Sequence, residues 1–132
     1  MRDRANSVEL PVRAQSPEKG YAPIRRRTHM FARLVTSHIK PGQFDLVTRK
    51  FEEKVIPLLR KQPGFRDEVS FFDKDRNEAV AISFWNTEAD ELKYEKNAYP
   101  EILKTLSDTF DGAPDVKHFE VANSTMYKIR AN

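Results

Sequence analysis

The sequence predicts an α+β fold of the ferredoxin-like, split βαβ kind: a four-stranded antiparallel sheet with helices on one face. Three observations predict it. Apolar, β-rich runs at 30–39, 65–72, 78–85 and 116–122 read as four strands. Phe44, Val47, Phe51, Val55 and Leu58 recur at helical spacing between the first two runs, and Ile102, Leu103, Leu106 and Phe110 do so between the last two. The order β-α-β-β-α-(α)-β, closed with right-handed crossovers, gives strand order 4-1-3-2.

The elements follow in order. MFARLVTSHI (30–39) is the first strand, and Pro41-Gly42 turns the chain into the first helix. Pro57 lies inside that helical pattern and removes the hydrogen bond to the carbonyl of Glu53, so a kink or break is expected there. Gln62-Pro63-Gly64 ends the helix. FRDEVSFF (65–72) is the second strand, with Phe65, Val69 and Phe71 expected on one side and Phe72 on the other. Residues 73–77 form a polar hairpin loop to EAVAISFW (78–85). Thr87 caps helix 88–97, with Asp90 three residues on. Tyr99-Pro100 starts a further helix, and VKHFEVA (116–122) is the last strand. The segment 123–132 either extends that strand or packs elsewhere.

The length of 132 residues suggests one domain, 30–122. Charged residues at 33% and apolar residues at 39% describe a soluble globular chain, and no apolar run approaches a membrane span. The chain has no cysteine, which excludes disulfides, thiolate metal sites and a cysteine nucleophile and fits a cytoplasmic setting. No apolar stretch follows the basic N-terminus, so no secretory signal is expected. The net charge of +3 is unevenly placed. Residues 1–29 hold seven basic groups against three acidic ones, a net of +4, which leaves −1 for the rest. That segment carries four of the punctuating residues (Pro11, Pro17, Gly20 and Pro23) and is expected to be a disordered basic tail. Met30 is an alternative start of translation. Arg25-Arg26-Arg27 is short, without interleaved aromatics, and reads as a solvated tail rather than a nucleic-acid contact. P-loop, GxGxxG and Ser-His-Asp spacings are missing, as are paired catalytic carboxylates.

The third strand is informative about function. Ala79, Ala81, Ser83 and Trp85 point one way; Val80, Ile82 and Phe84 point the other. Helices of the same chain cover one face. The Val80, Ile82 and Phe84 face is too apolar to leave in water, and a second copy packed sheet to sheet is the simplest cover, so a homodimer is expected. Under the helices the small residues leave room for a pocket with Trp85 on its wall, unless Phe44, Phe51 or Phe110 fills it and Trp85 is simply core.

The split βαβ plan, QPGF (62–65) and SFWNTEADE (83–91) resemble the antibiotic biosynthesis monooxygenase family, small dimeric α+β barrel proteins, over about residues 30–122. The resemblance implies a substrate site between sheet and helices. It also implies oxidation of a phenolic or quinol-like aromatic without metal, flavin or other cofactor: the substrate is deprotonated and its anion reduces O₂. Trp85 matches the Trp this family places at the strand end. The polyketide-oxidising pattern has Asn four residues earlier, where this chain has Ala81. The haem-degrading pattern needs a strand-one Asn and a His in the following helix; neither is present, so haem degradation is not expected.

Candidate site residues follow. His38 has a suitable ordinary pKa for a general base. With His118 on a neighbouring strand it lacks a third ligand at metal spacing, so no metal is expected. Arg33 is either an oxyanion or carboxylate partner or half of an ion pair with Glu68 or Glu120. Ala81 and Ser83 would floor the pocket. Tyr94 and Tyr99 offer phenol hydroxyls to a ligand or pack on helix surfaces. Asn86 reads as a turn residue. The expected function is a cofactor-free monooxygenase with Trp85 shaping the slot and His38 taking the proton. The alternative is a ligand-binding or structural dimer of the same fold. Nucleic acid and membrane are not expected partners.

Overall fold

The computed structural model describes residues 29–129. Within its main unit, Met30–Val121, the four strands are β1 (Phe31–His38), β2 (Phe65–Asp73), β3 (Glu78–Trp85) and β4 (Asp115–Glu120). They pair antiparallel in the order β2-β3-β1-β4, the expected topology. Ile39 leaves the ladder and bridges Phe110, and the last strand begins at Asp115 and stops at Glu120, each close to its expected limits.

The alternation expected for the second strand needs correction. A register shift between Phe65 and Asp67 places Phe65 opposite Trp85, while Val69 and Phe71 stand opposite Ile82 and Val80. One extra residue therefore turns the strand over, as a β-bulge does. Phe65 faces the helices; Val69 and Phe71 face away from them.

Between β1 and β2 the chain is helical throughout, in three pieces: α1 (Phe44–Lys50), a π turn (Phe51–Val55) and α2 (Ile56–Arg60). Pro57 explains the change. It has no N–H to give and its ring would meet the carbonyl of Glu53, so the wider turn ahead of it absorbs the mismatch. The expected break is thus a local rewinding. After β3, the Thr87 hydroxyl accepts from the Asp90 N–H at 3.1 Å and caps α3 (Glu88–Asn97). Ala98 separates α3 from α4 (Tyr99–Leu106), where Pro100 occupies the first turn.

Gly64 ties the two stretches QPGF and NTEAD together. Its φ is +80°, and a Cβ there would lie 2.1 Å from Asp90 Oδ2. Its carbonyl accepts from the Asn86 N–H at 2.8 Å. Only a residue without a side chain lets the start of α3 close on the start of β2 in this way.

The helices cover one sheet face. Val55, Leu59, Trp85, Tyr94, Ala98, Ile102 and Leu106 form the larger buried cluster, and Ile39, Phe44 and Val47 a smaller one. Residues 122–129 add no strand, so the last strand is not extended; the Ser124 hydroxyl accepts from the N–H groups of Met126 and Tyr127. Apart from His29, the basic tail lies outside the described residues. Among the described residues no helix is long and apolar enough to cross a membrane.

Candidate functional site

Strand register builds the floor of the site in rungs. Arg33 stands opposite Ser83 and His118, and Ser83 opposite Glu68, so one rung is polar throughout. The next joins Val35, Ala81, Ser70 and Val116; the third joins Ser37, Ala79 and Phe72. Above this floor lies a cavity of about 360 Å³, bounded by the helical segment from Val47 to Leu59, by α3 and by α4. Small side chains at 79, 81 and 83 create that space, because Phe51 and Phe110 stand on its walls instead of filling it. Phe44 packs edge-on against Phe72, ring centroids 4.7 Å apart, and does not enter it.

Of the sequence-selected residues, Arg33, Ala81, Ser83, Tyr94 and Tyr99 all line the cavity. Tyr94 and Tyr99 converge because the helix breaks at Ala98 between them; their ring centroids are 6.2 Å apart. Trp85 is behind the wall. It is fully buried, packed on Tyr94 at 4.7 Å and on Phe65 at 5.5 Å, and its indole N–H donates to the Ser83 hydroxyl at 3.0 Å. It supports the lining residues Ser83 and Tyr94 without bounding the cavity itself. His38 lies on the opposite sheet face, largely exposed and 3.8 Å from Glu78. Register gives the two histidines opposite faces, so they do not meet. Asn86 accepts a hydrogen bond from Arg66 at the strand end.

Arg33 is the centre of the polar end. Its side chain is 1% exposed and its Nη1 donates to Glu91 Oε2 at 3.0 Å and to Glu95 Oε1 at 2.9 Å. These partners, from α3, replace the expected Glu68 or Glu120. His118 joins the same group: its Nδ1 is 3.0 Å from Glu91 Oε2 and its Nε2 3.5 Å from Glu95 Oε1. The guanidinium also lies over the Tyr99 ring at 4.2 Å and near the Tyr94 ring at 5.5 Å, cation–π distances that add to its fixation. Its Nε and Nη2 are buried and make no hydrogen bond among the described residues, and neither does Glu91 Oε1. Glu91, Glu95 and His118 bring ligand-type atoms within 4.8 Å of one another. The guanidinium, bound to both carboxylates, offsets one of their two charges.

Glu68 is a cavity-lining carboxylate that the sequence did not single out. Burial pushes its pKa up, against the pull of a hydrogen bond from the Ser70 hydroxyl. Burial likewise raises the phenols of Tyr94 and Tyr99, with the Arg33 charge pulling the other way. Both therefore remain hydrogen-bond donors at neutral pH. The site thus offers a proton acceptor, two phenolic donors and a buried cation around an otherwise apolar space. Glu91 and Glu95 also escaped the sequence reading. The available signal was the spacing of Glu91, Tyr94 and Ala98, which puts an acid on the buried stripe of α3.

Solved structures share this architecture. A monooxygenase from the gene ActVA-Orf6 of Streptomyces coelicolor, in complex with nanaomycin D, matches with a TM-score of 0.63 at 17% identity, over 76% of this chain and 94% of that one. SnoaB, a cofactor-independent oxygenase from Streptomyces nogalater, matches in a mutant form with a TM-score of 0.60 at 11% identity, over 74% and 98%. A protein of unknown function from Nitrosomonas europaea, NE2512, matches with a TM-score of 0.62 at 16% identity, over 80% and 98%. No curated protein matches the chain. The fold is that of the dimeric α+β barrels, and the family model described as antibiotic biosynthesis monooxygenase matches residues 30–120, most of the 132-residue sequence, so the chain belongs to the antibiotic biosynthesis monooxygenase family.

Proposed function

We propose that this chain is a cofactor-free monooxygenase that oxidises a phenolic or quinol-like aromatic in the cavity between sheet and helices. One observation carries the reading: the cavity is apolar over most of its lining but ends in Arg33, Glu68, Tyr94 and Tyr99. Its volume suits a small aromatic molecule, at the lower end of the roughly 300–1,000 Å³ usual for ligand sites. Glu68, with its raised pKa, takes the phenol proton in place of His38. Arg33 and the tyrosine hydroxyls stabilise the phenolate. The electron-rich anion then reduces O₂. One oxygen atom enters the ring carbon para to the hydroxyl and the other leaves as water, so that phenol and O₂ give quinone and water. Family membership and the likeness to a cofactor-independent oxygenase support this chemistry.

Ala81 favours a second reading, a binding protein without chemistry, because it leaves the third strand with no amide in the cavity. Oxygen uptake separates the two. Protein dialysed against chelator should consume O₂ with at least one member of a panel of naphthols, hydroquinones and anthrones. Uptake at the blank rate throughout would leave only the binding reading.

We also infer that the outer sheet face packs on a second copy. Val69, Phe71 and Phe119 are 39%, 53% and 50% exposed there, beside partly buried Val80, Ile82 and Phe84. Such a patch marks an interface, and the fold class supports a dimer through this face.

A further inference from the structure

We propose that the ligand of this cavity has two parts: a hydroxylated ring at the Arg33 end and an unbranched apolar chain running along β1 towards Ile39. This rests on the functional reading above and adds the shape of the substrate to it. The floor is graded. Its first rung is polar at every position, Glu68, Ser83, Arg33 and His118. The rungs beyond it carry Val35, Ala81, Ala79 and Phe72, with only the hydroxyls of Ser37 and Ser70 among them, and Ser70 donates its own to Glu68.

The walls follow the same gradient. Tyr94 and Tyr99 stand over the polar end, whereas Ile39, Val47, Leu106 and Phe110 close the other end, and Ile39, Val47 and Leu106 are themselves buried. Arg33 and Ile39 are six residues apart on an extended strand, roughly 20 Å. A single ring fills only part of that length. The buried Arg33, with Nε and Nη2 unpartnered among the described residues, marks the end that seeks an oxygen ligand. The far end offers hydrocarbon contact and little else. Exposed Thr48, Glu52 and Ser70 on the lining open the cavity between α1, the π turn and the edge strand β2, wide of both ends.

The test uses the native chain and a series of 3-alkylphenols from methyl to decyl, whose para carbon is free, with binding followed by calorimetry. Kd should fall about fourfold for each added methylene over the first several carbons, then level off as the chain outgrows the slot. In Ala79→Leu, which plugs the apolar end, the levelling should come at a shorter chain. Ala79→Val, a smaller plug, is read in the same way if the first variant does not fold. Two results overturn the proposal and leave the functional reading standing: Kd independent of chain length, or the same levelling point in native protein and a folded plugged variant. Failure of every phenol in the series to bind removes both.

Discussion

Arg33 and Glu91, 58 residues apart in sequence, are joined at 3.0 Å with side chains 1% and 0% exposed. The pair stitches β1 to α3, and its cost is the desolvation of two charges. Glu95, His118 and the ring of Tyr99 offset part of that cost. A purely apolar contact would hold helix to sheet at least as firmly. What the pair adds is a cation fixed at one end of the cavity.

Removing one partner should be far worse than removing both. Arg33→Met leaves Glu91 buried without its counter-charge and should cost about 3–5 kcal/mol. Arg33→Met combined with Glu91→Met should recover most of that loss. Urea denaturation of the two single variants and the double variant gives the coupling directly.

Glu68 should link activity and stability in opposite senses. Burial raises its folded pKa above the unfolded value, so the folded state favours the protonated carboxyl. Its contribution to stability is therefore fully present below the unfolded pKa and is lost as pH rises through the folded one. At neutral pH the ionised group costs stability, and Glu68→Gln should raise the melting temperature there. The base must be ionised to act, so kcat/KM should fall as pH drops, with its acid limb above the ordinary glutamate value. Thermal melts and a pH–rate profile check the two halves.

Trp85 should behave as a core residue. Trp85→Ala removes a fully buried ring packed on Phe65 and Tyr94 and should cost about 3–5 kcal/mol. Trp85→Phe keeps much of the volume and should spare most of the stability and leave KM close to native. A large rise in KM without loss of stability would place the indole in the cavity wall after all. Steady-state kinetics beside denaturant melts distinguishes the two.

The outer sheet face should hold two copies together. Native protein is expected to sediment as a dimer at micromolar concentration, and Phe71→Glu, a charge set on an exposed ring of the apolar patch, as a monomer. A native protein that sediments only as a monomer would contradict the interface.

Most of the fold was legible from periodicity. The Thr87 cap and the opposed faces of Ala79 to Trp85 follow from local spacing, and strand order from the sequence of elements closed with right-handed crossovers. The bulge at the start of β2 was not legible, because one inserted residue leaves no mark in a run rich in phenylalanine at several positions. The site was legible as a floor, through Ala81 and Ser83, and in part through Arg33, Tyr94 and Tyr99. Its charges were not. Glu68 owes its raised pKa to burial by residues distant in sequence, and Glu91 sits in a helix whose other acids are exposed or only half-buried. His38 was chosen for its chemistry, but strand parity turns it away from the cavity.

The most direct measurement is oxygen uptake by native protein and by Glu68→Gln on a phenol that native protein consumes, both stripped of metal. Uptake by the native chain is expected, with a fall of about 10²–10⁴-fold in the variant and the phenol still bound. Equal rates in the two proteins, or no uptake with any phenol that binds, would contradict the proposed function.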